Sequence, residues 1–65
     1  MKKYTFVEMS ETGAAIDVIM TEQEIIDYYF DYWSNQMRKV GKENMISNER
    51  CIEDFCAVHW ATEIK

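Results

Sequence analysis

The run that opens with Thr21-Glu22-Gln23-Glu24 continues to Val40 without a glycine or a proline. It constrains the fold more than any other stretch. The Thr21 hydroxyl can accept from the Glu24 amide, and the Glu24 carboxylate can reach back to the Thr21 amide, a capping box. Glu22 and Glu24 suit the positive end of the helix dipole, and Arg38 and Lys39 suit the negative end. Gly41 then supplies a left-handed stop. A helix from Thr21 to about Val40 follows. Ile26, Phe30, Trp33, Met37 and Val40 recur at helical spacing, and Ile25, Tyr29 and Tyr32 widen that stripe. Glu24, Asp27, Asp31 and Ser34 line the opposite, wet side.

The segment before this helix alternates with a period of two. In residues 2–9, Tyr4 and Phe6 share one face, while Thr5, Val7 and Met9 share the other. In residues 14–20, Ile16, Val18 and Met20 share a face and Asp17 points away. Ser10-Glu11-Thr12-Gly13 between them has turn composition, so a β-hairpin is predicted. After Gly41, residues 42–47 read as a connection. Residues 48–54 read as a short helix capped by Ser47 or Asn48. From Phe55 the pattern alternates again, with Cys56, Val58, Trp60 and Thr62 on one face and Phe55, Ala57, His59 and Ala61 on the other. That predicts a third strand ending near Ile64; a competing reading extends the helix through Trp60.

The predicted architecture is a single α+β domain over residues 1–65: a three-stranded antiparallel sheet packed on one long helix, in the order ββα(α)β. At 65 residues the chain has room for one small core. Hydrophobic residues make up 48% of it, which is too apolar for intrinsic disorder. The sheet face turned away from the helix would stay open, and an open apolar patch often marks a partner or a homodimer interface.

Charge limits the partners. The net charge is −5, and between Tyr4 and Met37 stand Glu8, Glu11, Asp17, Glu22, Glu24, Asp27 and Asp31 with no lysine or arginine among them. Such a field repels nucleic acid and membrane headgroups and attracts basic proteins. It also keeps a small domain soluble. Met1-Lys2-Lys3 is followed by too short an apolar run for a secretory signal, and no stretch approaches a membrane span. Cys51 and Cys56 would close only a short loop as a disulfide, so a reducing, cytoplasmic setting is expected.

Site chemistry is sparse. Cys51, Cys56 and His59 offer soft metal ligands in a C-x4-C-x2-H pattern, but structural zinc takes four ligands, most often from two paired knuckles. On a strand, Cys56 and His59 would point to opposite faces. The same geometry opposes a Cys–His nucleophile, and no glycine-rich loop could supply oxyanion donors. Asp27 and Asp31 lie one turn apart on a wet helix face, without the cleft that tunes catalytic carboxylates. Neither an enzyme nor a cofactor is expected. The densest feature is Tyr28-Tyr29-Phe30-Asp31-Tyr32-Trp33. These rings cannot all face one sheet, so Tyr28 and Tyr32 are placed at the flank, where tyrosines anchor protein interfaces. With Glu24, Asp27 and Asp31 they form the predicted partner-binding face.

The stretch from Glu24 to Trp33, with Met37, Gly41-Lys42-Glu43, Cys51-Ile52-Glu53-Asp54-Phe55 and the closing Val58-His59-Trp60-Ala61, resembles short uncharacterised proteins of tailed bacteriophages. The resemblance covers roughly residues 20–62. It implies a bacterial cytoplasm and a small accessory role, and it assigns no residue a function. Three expectations of function result. The first is a non-catalytic protein-interaction module that binds a host or phage protein. The second is an acidic nucleic-acid mimic that blocks a nucleic-acid-binding protein. The third is a small metal-binding protein using Cys51, Cys56 and His59. Homo-oligomerisation is compatible with the first.

Overall fold

The computed structural model describes residues 2–65. The order is β1 (Lys3–Met9), β2 (Ala15–Thr21), α1 (Glu22–Lys39), a 3-10 turn (Glu43–Met45), α2 (Asn48–His59) and β3 (Thr62–Ile64). The strands form one antiparallel sheet in the order β2-β1-β3, and the fold is α+β. Both helices belong to the side on which Phe6 is buried, where Phe6, Ile25, Ile52 and Phe55 make the core.

The hairpin forms where the turn chemistry lies. Ser10 and Ala14 close the loop with an amide-to-carbonyl bond of 2.9 Å, and Gly13 takes a φ of 84°. The register pairs Phe6 with Val18 and Val7 with Asp17. Tyr4, Phe6, Val18 and Met20 therefore face the core together, and Val7, Met9 and Ile19 face out.

Helix α1 starts as its sequence demands. Glu24 N–H donates to Thr21 Oγ1 at 3.2 Å, and Thr21 N–H donates to Glu24 Oε1 at 2.9 Å. It ends in a Schellman motif: Lys42 N–H reaches the Met37 carbonyl at 2.8 Å and Gly41 N–H the Arg38 carbonyl at 3.1 Å, with Gly41 at φ 75°. The stripe is not all core, however. Ile25 and Trp33 are buried and Ile26, Tyr29, Phe30 and Met37 half-buried, but Val40 is exposed because it already sits at the cap. Ser34, expected on the wet side, is buried, and its hydroxyl donates to the Asp31 carbonyl.

The larger correction concerns residues 55–64. They do not form a strand throughout: α2 runs on to His59, and only Thr62–Ile64 pair with β1. The reason lies in burial. On a helix, Cys51, Ile52, Phe55, Cys56 and His59 share one face, and that face carries Phe55 and Cys51 into full burial. Ser47 caps α2 by accepting from Arg50 N–H at 3.2 Å. Trp60 then stops the helix in a left-handed conformation, φ 58°.

Candidate functional site

Helix α1 positions the predicted partner-binding residues, and it does bring them together. Glu24, Asp27, Tyr28, Asp31 and Tyr32 are all exposed and share one arc of α1; the acids lie opposite the buried Trp33, and the tyrosines border the side of the buried Ile25. The acids occupy one side of the arc. Gln23 Nε2 donates to Asp27 Oδ1 at 2.9 Å and so orients that carboxylate. The tyrosines occupy the other side, with Tyr28 69% and Tyr32 61% exposed.

On the tyrosine side the arc runs into a shallow recess of about 320 Å³, lined by Tyr28, Tyr29, Tyr32 and His59. The Tyr29 and Tyr32 rings lie 5.8 Å apart, and the His59 and Phe55 rings pack at a tilt of 37° with centroids 4.2 Å apart. The floor is rigid. Tyr29 donates its hydroxyl proton to Asp54 Oδ2 at 2.9 Å, which ties α1 to α2. Burial, and then the bond to Asp54, push the Tyr29 phenol far above its ordinary value, so it stays protonated. Tyr29 and His59 belong to this site although the sequence did not assign them to it. The signal was the helical spacing of residues 51, 52, 55, 56 and 59, which turns His59 toward Tyr29.

The remaining candidates do not assemble. Among the described residues no three His, Cys, Asp or Glu side chains converge on one point, so Cys51, Cys56 and His59 do not form a metal-ligand set even though all three lie on α2. Cys51 is buried and Cys56 half-buried, and both thiols are free. Burial pushes both thiols up, with Asp54 adding to the effect at Cys51. A thiol held protonated is a poor nucleophile. Asp17 lies outward on the sheet, on the face opposite the helices, so the acidic residues divide between two sides of the molecule. Among the described residues no helix is long and apolar enough to cross a membrane.

Fold and site together define a small ββααβ domain that presents an acidic, tyrosine-rich helix face beside an aromatic recess. No family model, no curated protein and no solved structure matches the chain.

Proposed function

We propose that this chain is a non-catalytic interaction module that uses the exposed face of α1 to bind a basic segment of a protein partner. In keeping with its resemblance to phage accessory proteins, that partner is a host or phage protein in the bacterial cytoplasm. The observation that carries this reading is the arc itself: Glu24, Asp27 and Asp31 stand beside two tyrosines that bury little within the domain. Tyrosines supply large contact area at low entropic cost, and the acids steer and orient a cationic partner. The recess accepts one aliphatic or aromatic side chain, or the stem of an arginine stacked on Tyr28 or Tyr32.

The nucleic-acid mimic remains a second reading, because Glu24, Asp27 and Asp31 recur one turn apart on one exposed face. The placement of Asp17 on the opposite side counts against an extended track of charge. One experiment separates the two. The tagged chain is used to recover partners from a bacterial lysate at low and high salt, alongside a Tyr28→Ala/Tyr32→Ala variant and an Asp27→Asn/Asp31→Asn variant. The interaction reading expects one dominant partner, held less tightly but still recovered at high salt, weakened in the Asp27→Asn/Asp31→Asn variant and lost with the tyrosines. A nucleic-acid-binding protein that is released by salt and lost only with the acids would favour the mimic. Recovery of the same proteins by both variants as by the wild type would refute the assignment of this face.

A further inference from the structure

The opposite side of the molecule carries a second surface that the helix face does not explain. The register places Lys3, Thr5, Val7 and Met9 of β1 on the outward face, with Asp17 and Ile19 of β2 beside them and Thr62 and Ile64 of β3 on the other flank. Thr5, Val7, Asp17, Thr62 and Trp60 line a groove of about 550 Å³ that reaches inward to Phe6 and His59. Trp60 is 88% exposed and holds a left-handed backbone that favours glycine. Within the domain it gains almost no burial in return for that strain. Among the described residues six apolar side chains are buried and ten large ones are exposed, and five of the ten (Val7, Met9, Ile19, Trp60, Ile64) belong to this surface. Domains this small often complete their core by association.

We infer that this face seats a second copy of the chain, in a two-fold, sheet-on-sheet dimer. Two observations favour a copy over another occupant. The first is charge. The face carries one base, Lys3, and one acid, Asp17, on adjacent strands and four residues apart along β1, because Asp17 pairs with Val7. A two-fold axis that crosses the strands over Thr5 exchanges these two rows. Lys3 of each copy then meets Asp17 of the other, and Trp60 of each covers Ile64 of the other. The acidic arc of α1 stays outside on both copies, where it does not oppose association. The second observation is area. An uncovered aromatic of this kind offers roughly 150–250 Å². Val7, Met9, Ile19 and Ile64 beside it are 60%, 68%, 58% and 42% exposed, and all of this adds toward the ~800 Å² that each partner gives to a standard interface.

The test is sedimentation equilibrium of the full chain from micromolar to millimolar concentration. The wild type should shift from one chain mass to two. Lys3→Glu makes the face doubly acidic and Asp17→Lys makes it doubly basic. Each alone should weaken dimerisation at least tenfold, and an equimolar mixture of the two should recover a heterodimer. Trp60→Gly should give a monomer that folds as well as the parent, checked by circular dichroism. A chain that stays monomeric to millimolar concentration overturns the inference. So does a dimer that ignores all three substitutions, or one lost instead in Tyr28→Ala/Tyr32→Ala, which would place the second copy on α1. The partner-recovery experiment reads the α1 face alone, so either proposal can fail without the other.

Discussion

Helices α1 and α2 end in the same way with different residues. At the end of α1 the left-handed position is Gly41, and the next amide, Lys42, returns to the Met37 carbonyl five residues back. At the end of α2 the left-handed position is Trp60, and the next amide, Ala61, returns to the Cys56 carbonyl at 3.0 Å. One stop uses the residue that takes this conformation freely. The other forces a bulky side chain into it. The difference shows which constraint governs each helix. Local chemistry sets the bounds of α1, whereas α2 extends as far as its apolar face is buried and halts where β3 must turn back to pair with β1.

The sharpest way to break this comparison is to remove what holds each helix. Phe55 is fully buried and meets Phe6 and Tyr29 edge to face at 5.5 and 5.4 Å. Phe55→Ala should cost about 3–5 kcal/mol, enough to unfold most of a domain this small. Val40 shares the helical spacing of the α1 stripe yet is exposed, so Val40→Ala should change stability by less than about 0.5 kcal/mol. Urea denaturation followed by circular dichroism checks both. Equal costs would mean that the C-terminal end of the α1 stripe carries as much of the core as α2 does.

The caps themselves give the next effect. Gly41→Ala puts a Cβ at φ 75° and should cost about 1–2 kcal/mol, although nothing lies within 4 Å to clash with it. Trp60→Gly relieves a similar strain. The extra freedom of glycine in the unfolded chain, about 0.5–1 kcal/mol, takes back part of the gain. The net result, measured at dilute monomer concentration, is a domain unchanged or up to about 1 kcal/mol more stable. Opposite signs at two equivalent positions are the expected result. A marked loss of stability in the glycine variant at Trp60 would show that the indole packs within the monomer.

These two ends also explain what was legible in the sequence. The hairpin, the capping box and the stop at Gly41 each rest on a few neighbouring residues whose local chemistry allows one answer, and the α+β order follows from them. The exposed arc of Glu24, Asp27, Tyr28, Asp31 and Tyr32 was legible for the same reason, since helical spacing alone fixes it. Residues 55–61 carry no such punctuation. Cys, Ala, His and Val suit either period, and the alternation among them competes with the helical spacing of 51, 52, 55, 56 and 59. What decides between the two is tertiary: on the helix, Phe55 is fully buried against Phe6 and Tyr29. With that choice went the recess, because His59 joins Tyr28, Tyr29 and Tyr32 only when α2 continues to it.

The smallest effect tests the one hydrogen bond that ties the two helices. Tyr29→Phe removes the donor to Asp54, which is partly solvated, and should cost about 1 kcal/mol, or about 4–8 °C in Tm. Its pH dependence carries the sign. The Tyr4 and Tyr29 phenols are raised above their ordinary value of 10.0, and the Cys51 and Cys56 thiols above 9.0. Below about pH 8 all four are protonated in both states, so their contribution is fully present and flat. As pH rises through 9 and 10 the unfolded chain ionises first, and stability falls, by up to about 1.4 kcal/mol per pH unit for each group. Thermal melts between pH 7 and 11 should therefore show a plateau and then a decline. In Tyr29→Phe the decline above pH 10 should be shallower, with the earlier loss from the two α2 thiols unchanged. If the two curves stay parallel above pH 10, the phenol is as free to ionise in the folded state as in the unfolded chain, and the link from α1 to α2 rests on the packing of Tyr29 against Phe55 alone.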